Sequence, residues 1–103
     1  MGAMRERLEN RRGCETFSFI CNSLNYTASI GRFPDGRLAE IFISNTRSGS
    51  HSDAAGRDSA VVCSLCLQAG ISVDVIRHAL LRDARGVASS PLGAALDIIA
   101  RWP

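Results

Sequence analysis

The sequence predicts an α+β fold, with a three-stranded antiparallel meander followed by three helices packed on one sheet face. Three observations lead there. Apolar residues alternate at period two through the first half of the chain. The turns joining those runs are too short for crossovers, so successive strands must be antiparallel. From residue 54 onward the apolar spacing changes to three and four.

The first strand is expected at 15–21, where Phe17, Phe19 and Cys21 share a face. Asn22-Ser23 then supplies a tight turn. The second strand, 24–30, sets Leu24, Tyr26, Ala28 and Ile30 against Asn25, Thr27 and Ser29. Pro34-Asp35-Gly36 is a turn in which Pro presets φ and Gly accepts positive φ. The third strand, 37–44, places Ala39, Ile41 and Ile43 together. Arg37 and Glu40 would discourage pairing at its edge, whereas Phe17, Phe19 and Ile20 on the first strand would not.

Ser50 or Ser52 is the expected N-cap of the first helix, with Asp53 in its first turn. That helix is read over 54–69, with Val61, Val62, Leu65 and Cys66 as its apolar residues and Gly70 as its stop. Ser72 caps a second helix running to Arg82, with Val75, Ile76, Ala79 and Leu80 inward. Ser90-Pro91 opens a third, which carries Leu92, Ala95, Leu96, Ile98 and Ile99 towards Trp102.

With 103 residues there is room for one domain, and a chain of this size buries about 65% of its unfolded surface. Apolar residues make up 46%, enough to fold. Residues 1–12 read as a flexible arginine-rich arm whose leading Met-Gly-Ala-Met carries no weight, and 13–103 as the domain. The arm has no apolar stretch, so no signal peptide is expected and the setting is read as cytoplasmic.

All twelve basic residues are arginine. Arg5, Arg7, Arg11 and Arg12 make the arm positive, while the body holds equal numbers of arginines and acids. The arm, with Arg32 and Arg37 around the Pro34 turn, is the candidate nucleic-acid contact. A second candidate is an anion or nucleotide site at the first helix entry. There Gly49 and Ser50 offer backbone donors, flanked by Arg47 and Arg57. Asp53 opposes an anion at that point.

No metal, cofactor or catalytic group is expected. Cys63 and Cys66 lie in an apolar helical stretch without the Gly or Pro of a metal knuckle, and Cys14 and Cys21 are too widely spaced. His51, Ser50, Ser52 and Asp53 are neighbours in one polar loop. A triad instead draws its members from separate elements and adds an oxyanion hole. His78 reads as a surface residue of the second helix.

Taken together, residues 11–102 resemble the TSCPD domain found near the C-terminus of adenosylcobalamin-dependent ribonucleotide reductases. The matching stretches begin with Arg11-Arg12 and Tyr-Thr-Ala-Ser-Ile-Gly-Arg-Phe-Pro-Asp-Gly-Arg at 26–37. They continue with Ala-Glu-Ile-Phe-Ile at 39–43, Gly49-Ser50, and Ser-Leu-Cys-Leu-Gln-Ala-Gly-Ile at 64–71. Ser90 stands where the family's motif has Cys before Pro, and Gly49-Ser50 replaces a further Cys of small standalone relatives. The resemblance implies an accessory domain, since the reductase's radical chemistry belongs to its large catalytic domain. The expected function is therefore a non-enzymatic accessory or regulatory module that binds another protein, with a link to ribonucleotide reductase or nucleotide metabolism. Nucleic-acid binding and nucleotide binding stand as alternatives. A homodimer is expected, joined through Ile98, Ile99 and Trp102 of the last helix or through the first strand.

Overall fold

A computed structural model describes residues 14–47 and 49–102. The arm at 1–12, with Arg5, Arg7, Arg11 and Arg12, lies outside the described residues. The chain forms β1 (Cys14–Cys21), β2 (Leu24–Arg32), β3 (Leu38–Asn45), α1 (His51–Gln68), α2 (Val73–Ala79) and α3 (Pro91–Ala100). The sheet order is β1-β2-β3, antiparallel throughout, so the fold is α+β as the spacing predicts. No described helix is long and apolar enough to cross a membrane.

The β1–β2 turn has two residues, Asn22 and Ser23, both at positive φ. This backbone twist suits a two-residue hairpin and locks Cys21 opposite Leu24. At the β2–β3 turn, Gly36 sits at φ +93 and its N–H donates to the Phe33 carbonyl.

One sheet face carries Phe19, Tyr26, Ala28, Ile30, Ile41 and Ile43 into the core. Ala60, Cys63 and Leu67 from α1 and Leu92, Ala95, Leu96 and Ile99 from α3 cover it. Phe42 on the opposite face is 52% exposed.

Two helices differ from the sequence expectation. α1 starts at His51, with Ser50 as its cap, and it is rotated. Val61, Val62 and Leu65 face solvent, while Asp53, Gly56, Ala60, Cys63, Ser64, Leu67 and Gln68 are buried. α2 ends at Ala79 rather than Arg82 and buries no residue, leaving Val75 exposed. It stops because Leu80 is extended and Asp83 organises a turn. The Asp83 carboxylate accepts from the Arg85 and Val87 N–H groups, an arrangement that competes with continued helix. Arg82 then pairs with Ala88 as an isolated bridge.

The rotation of α1 has a physical cause. Alternation along β3 sends the backbone groups of 39, 41 and 45 away from β2. α1 lies along that edge and supplies side-chain partners. The Ser64 hydroxyl accepts from Ile41 N–H and donates to Ile41 C=O, both at 2.9 Å. The Gln68 amide donates to the Ala39 carbonyl at 3.2 Å, and the Asp53 carboxylate accepts from Asn45 N–H at 2.8 Å. Three polar side chains of one helix thus serve the backbone of an edge strand in place of a fourth strand. Gly56 and Ala60 on the same face let the helix lie close.

Candidate functional site

The loop from Asn45 to Ser50 folds around one carboxylate. Asp53 has a side chain 3% exposed. Its Oδ1 accepts from Asn45 N–H, and its Oδ2 accepts from Gly49 N–H at 3.0 Å and from Arg57 Nε at 2.9 Å. Ser50 completes the entry, its Oγ accepting from Asp53 N–H and donating to the Arg47 carbonyl. Gly49 reaches this position at φ +79, where a side chain would be strained. The two backbone N–H groups, then Arg57, hold the Asp53 carboxyl down to about 2 from 3.8.

Of the four anion-site candidates, the structure brings Gly49, Ser50 and Arg57 together; the Gly49 N–H and Arg57 Nε donate to the Asp53 carboxylate, while the Ser50 hydroxyl accepts from the Asp53 N–H. Asp53 thus takes two of the donors proposed for a phosphate, and the Ser50 donors go to the Arg47 carbonyl. Arg47 belongs to this loop and is exposed. His51 and His78 are exposed, the first opening α1 and the second on α2.

The arginines of the β2–β3 turn have local partners. Arg32 donates to Glu15 at 3.3 Å and to the Gly36 carbonyl. Arg37 donates to Asp35 at 2.6 Å and lies 4.6 Å over the Phe33 ring. The Arg37 hydrogen bond lowers the Asp35 carboxyl.

The proposed dimer residues separate. Ile99 is buried in the core and gives no surface to a partner. Ile98 and Trp102 are half-buried, with the Trp102 ring 4.9 Å from that of Phe17 in an edge contact.

Sequence reasoning missed a second ionic centre. Asp97 on α3 accepts from Arg77 Nε at 2.7 Å and from both terminal nitrogens of Arg82, at 2.8 and 2.7 Å. The Arg82 hydrogen bonds lead in holding its carboxyl well below the usual range. The partners are 15 and 20 residues away in sequence, so no local pattern announces them. An open cleft of about 590 Å³ adjoins, lined in part by Asn22, Asp83, Ser89, Asp97 and Arg101.

These two carboxylates contribute to the acid response. Each is depressed in the folded chain, so its contribution is complete above 3.8 and is lost as pH falls through its folded value. The melting temperature is therefore expected to stay level down to about pH 4 and to fall steeply towards pH 2. Thermal melts across that range check this. The slope should weaken in an Asp53→Asn, Asp97→Asn double variant.

Cys63 is buried, and burial leads in pushing its thiol up to about 11, a value that disfavours the thiolate needed by a metal or a nucleophile. Burial raises the Cys21 thiol as well. Cys14 is exposed and Cys66 half-buried. Among the described residues no group of three or more His, Cys, Asp or Glu is placed to hold a metal ion. Ser90, at the position of the family cysteine, caps α3 by accepting from Gly93 N–H at 3.2 Å.

No family model matches the chain, and no curated protein or solved structure does so either.

Proposed function

We propose that the chain is a non-enzymatic accessory module that binds another protein through the outer face of α1. The observation that carries this reading is the exposure of Val61, Val62 and Leu65, at 49%, 60% and 45%. These apolar side chains stand on a helix whose opposite, buried side is partly polar. From Ser59 to Ile76 the chain has one charge, that of Asp74, so the surface suits an uncharged apolar helix or strand. At the C-terminal end of α1, a groove of about 200 Å³ lined by Leu38, Leu67, Ile71 and Val73 has room for one apolar side chain.

The resemblance to an appended reductase domain is the ground for naming the partner class, a ribonucleotide reductase or another protein of nucleotide metabolism. The cytoplasm is the proposed setting, where the four free thiols persist. Nucleic-acid and nucleotide readings have less support, because the described Arg32, Arg37 and Arg57 already bind neighbouring carboxylates.

A capture experiment tests the proposal, with purified adenosylcobalamin-dependent reductase applied to the immobilised chain. The expected result is retention by the wild type and loss of at least about tenfold in affinity in a Val62→Glu, Leu65→Glu variant. That variant should melt like the wild type, since both side chains are exposed. Equal retention by both chains, no retention at all, or nucleotide turnover by the chain alone would overturn it.

A further inference from the structure

We propose that β1 pairs antiparallel with β1 of a second copy across a two-fold axis, giving a six-stranded sheet. This interface is independent of the α1 reading, because β1 and β3 are opposite edges of the sheet.

The two edges are treated differently. On β3, the outward Ile41 N–H and C=O, the Ala39 C=O and the Asn45 N–H have partners in Ser64, Gln68 and Asp53 of α1. On β1, the two-residue turn makes Cys21 and Leu24 exchange hydrogen bonds, so Phe19 and Phe17 also face β2. Thr16, Ser18 and Ile20 therefore point their backbone N–H and C=O groups outward. Among the described residues these groups have no backbone partner.

β1 also lacks the devices that blunt an edge. It has eight residues, no proline and no lysine, and it pairs with β2 without a bulge from Cys14 to Cys21. Its single charge, Glu15, is occupied by Arg32. A row of alternating donors and acceptors is complementary to an extended backbone, and a two-fold axis makes it complementary to itself. With Phe17 on the axis, Thr16 lies opposite the partner's Ser18 and Cys14 opposite the partner's Ile20. The outward set then maps onto the outward set, so every hydrogen bond is made. Small hydroxyl side chains meet on the open face. On the core face, half-buried Phe17 meets the partner's Phe17 and the Trp102 contact extends the seam. The occupant this favours is a second copy.

Sedimentation of the full chain up to about 0.5 mM tests the pairing. Wild type should reach twice the 11.1 kDa chain mass. Ser18→Pro removes an outward N–H without touching a β1–β2 bond, and should sediment as a monomer with unchanged circular dichroism. A Thr16→Lys, Ser18→Lys variant keeps the backbone and sets like charges across the axis, so its dimer should be at least about tenfold weaker whatever the proline does to folding. A wild type that stays monomeric throughout overturns the pairing. So does a dimer that the lysine variant leaves intact.

Discussion

Replacing Ser64 by alanine is expected to lower unfolding free energy by about 3 kcal/mol. One hydroxyl serves both the N–H and the C=O of Ile41, and all of these groups are buried. Alanine leaves a donor and an acceptor without partners, and each orphan costs roughly 1–3 kcal/mol. Better helix propensity returns only about 0.5 kcal/mol. Since a domain of this size holds on the order of 5–15 kcal/mol in total, the melting temperature should fall by roughly 10–20 °C. Urea titration should show a lower midpoint with an unchanged slope. A loss below about 1 kcal/mol would show that water replaces the hydroxyl at the β3 edge.

Asp97→Ala is expected to cost about 2 kcal/mol, and to loosen one region before the rest. α2 buries no residue of its own, and Arg77 ties it to α3. Arg82 ties the 83–87 turn to the same carboxylate. Without Asp97, two cations 27% exposed lose their counter-ion and stand near each other. Limited proteolysis should then cut within 73–89 while the sheet stays intact. Replacing all three by apolar residues (Arg77→Met, Arg82→Met, Asp97→Leu) should recover most of the loss, because the desolvation cost disappears with the charges. Failure to recover would mean that the ionic geometry itself fixes α2.

Much of the fold is legible locally. Period-two alternation placed three strands, and Asn22-Ser23 and Pro34-Asp35-Gly36 placed the turns. Ser72 and Ser90 cap their helices as read, each accepting from a backbone N–H in the first turn. The face of α1 was not legible. Apolar residues lie on both sides of this helix, with Cys63 and Leu67 inward and Val61, Val62 and Leu65 outward. The tie is broken by Asp53, Ser64 and Gln68, which are buried because an edge strand elsewhere in the chain needs partners. That requirement is non-local and appears in no helical periodicity. The anion site was half legible. The sequence located the donors and noted that Asp53 opposes an anion. It did not reveal that Asp53 turns back into the loop and occupies those of Gly49 and Arg57.

The two edges of one small sheet differ: side chains of α1 serve Ala39, Ile41 and Asn45 of β3, and β1 is the edge we propose for a second copy. Amide hydrogen exchange, read residue by residue at low and high protein concentration, tests this contrast most directly. Ile41 and Asn45 N–H groups should be protected at both concentrations, because Ser64 and Asp53 accept from them within the chain. Thr16 and Ser18 N–H groups should exchange fast when dilute and gain protection as concentration rises. Fast exchange at Ile41 and Asn45, or protection at Thr16 and Ser18 that ignores concentration, would contradict the account.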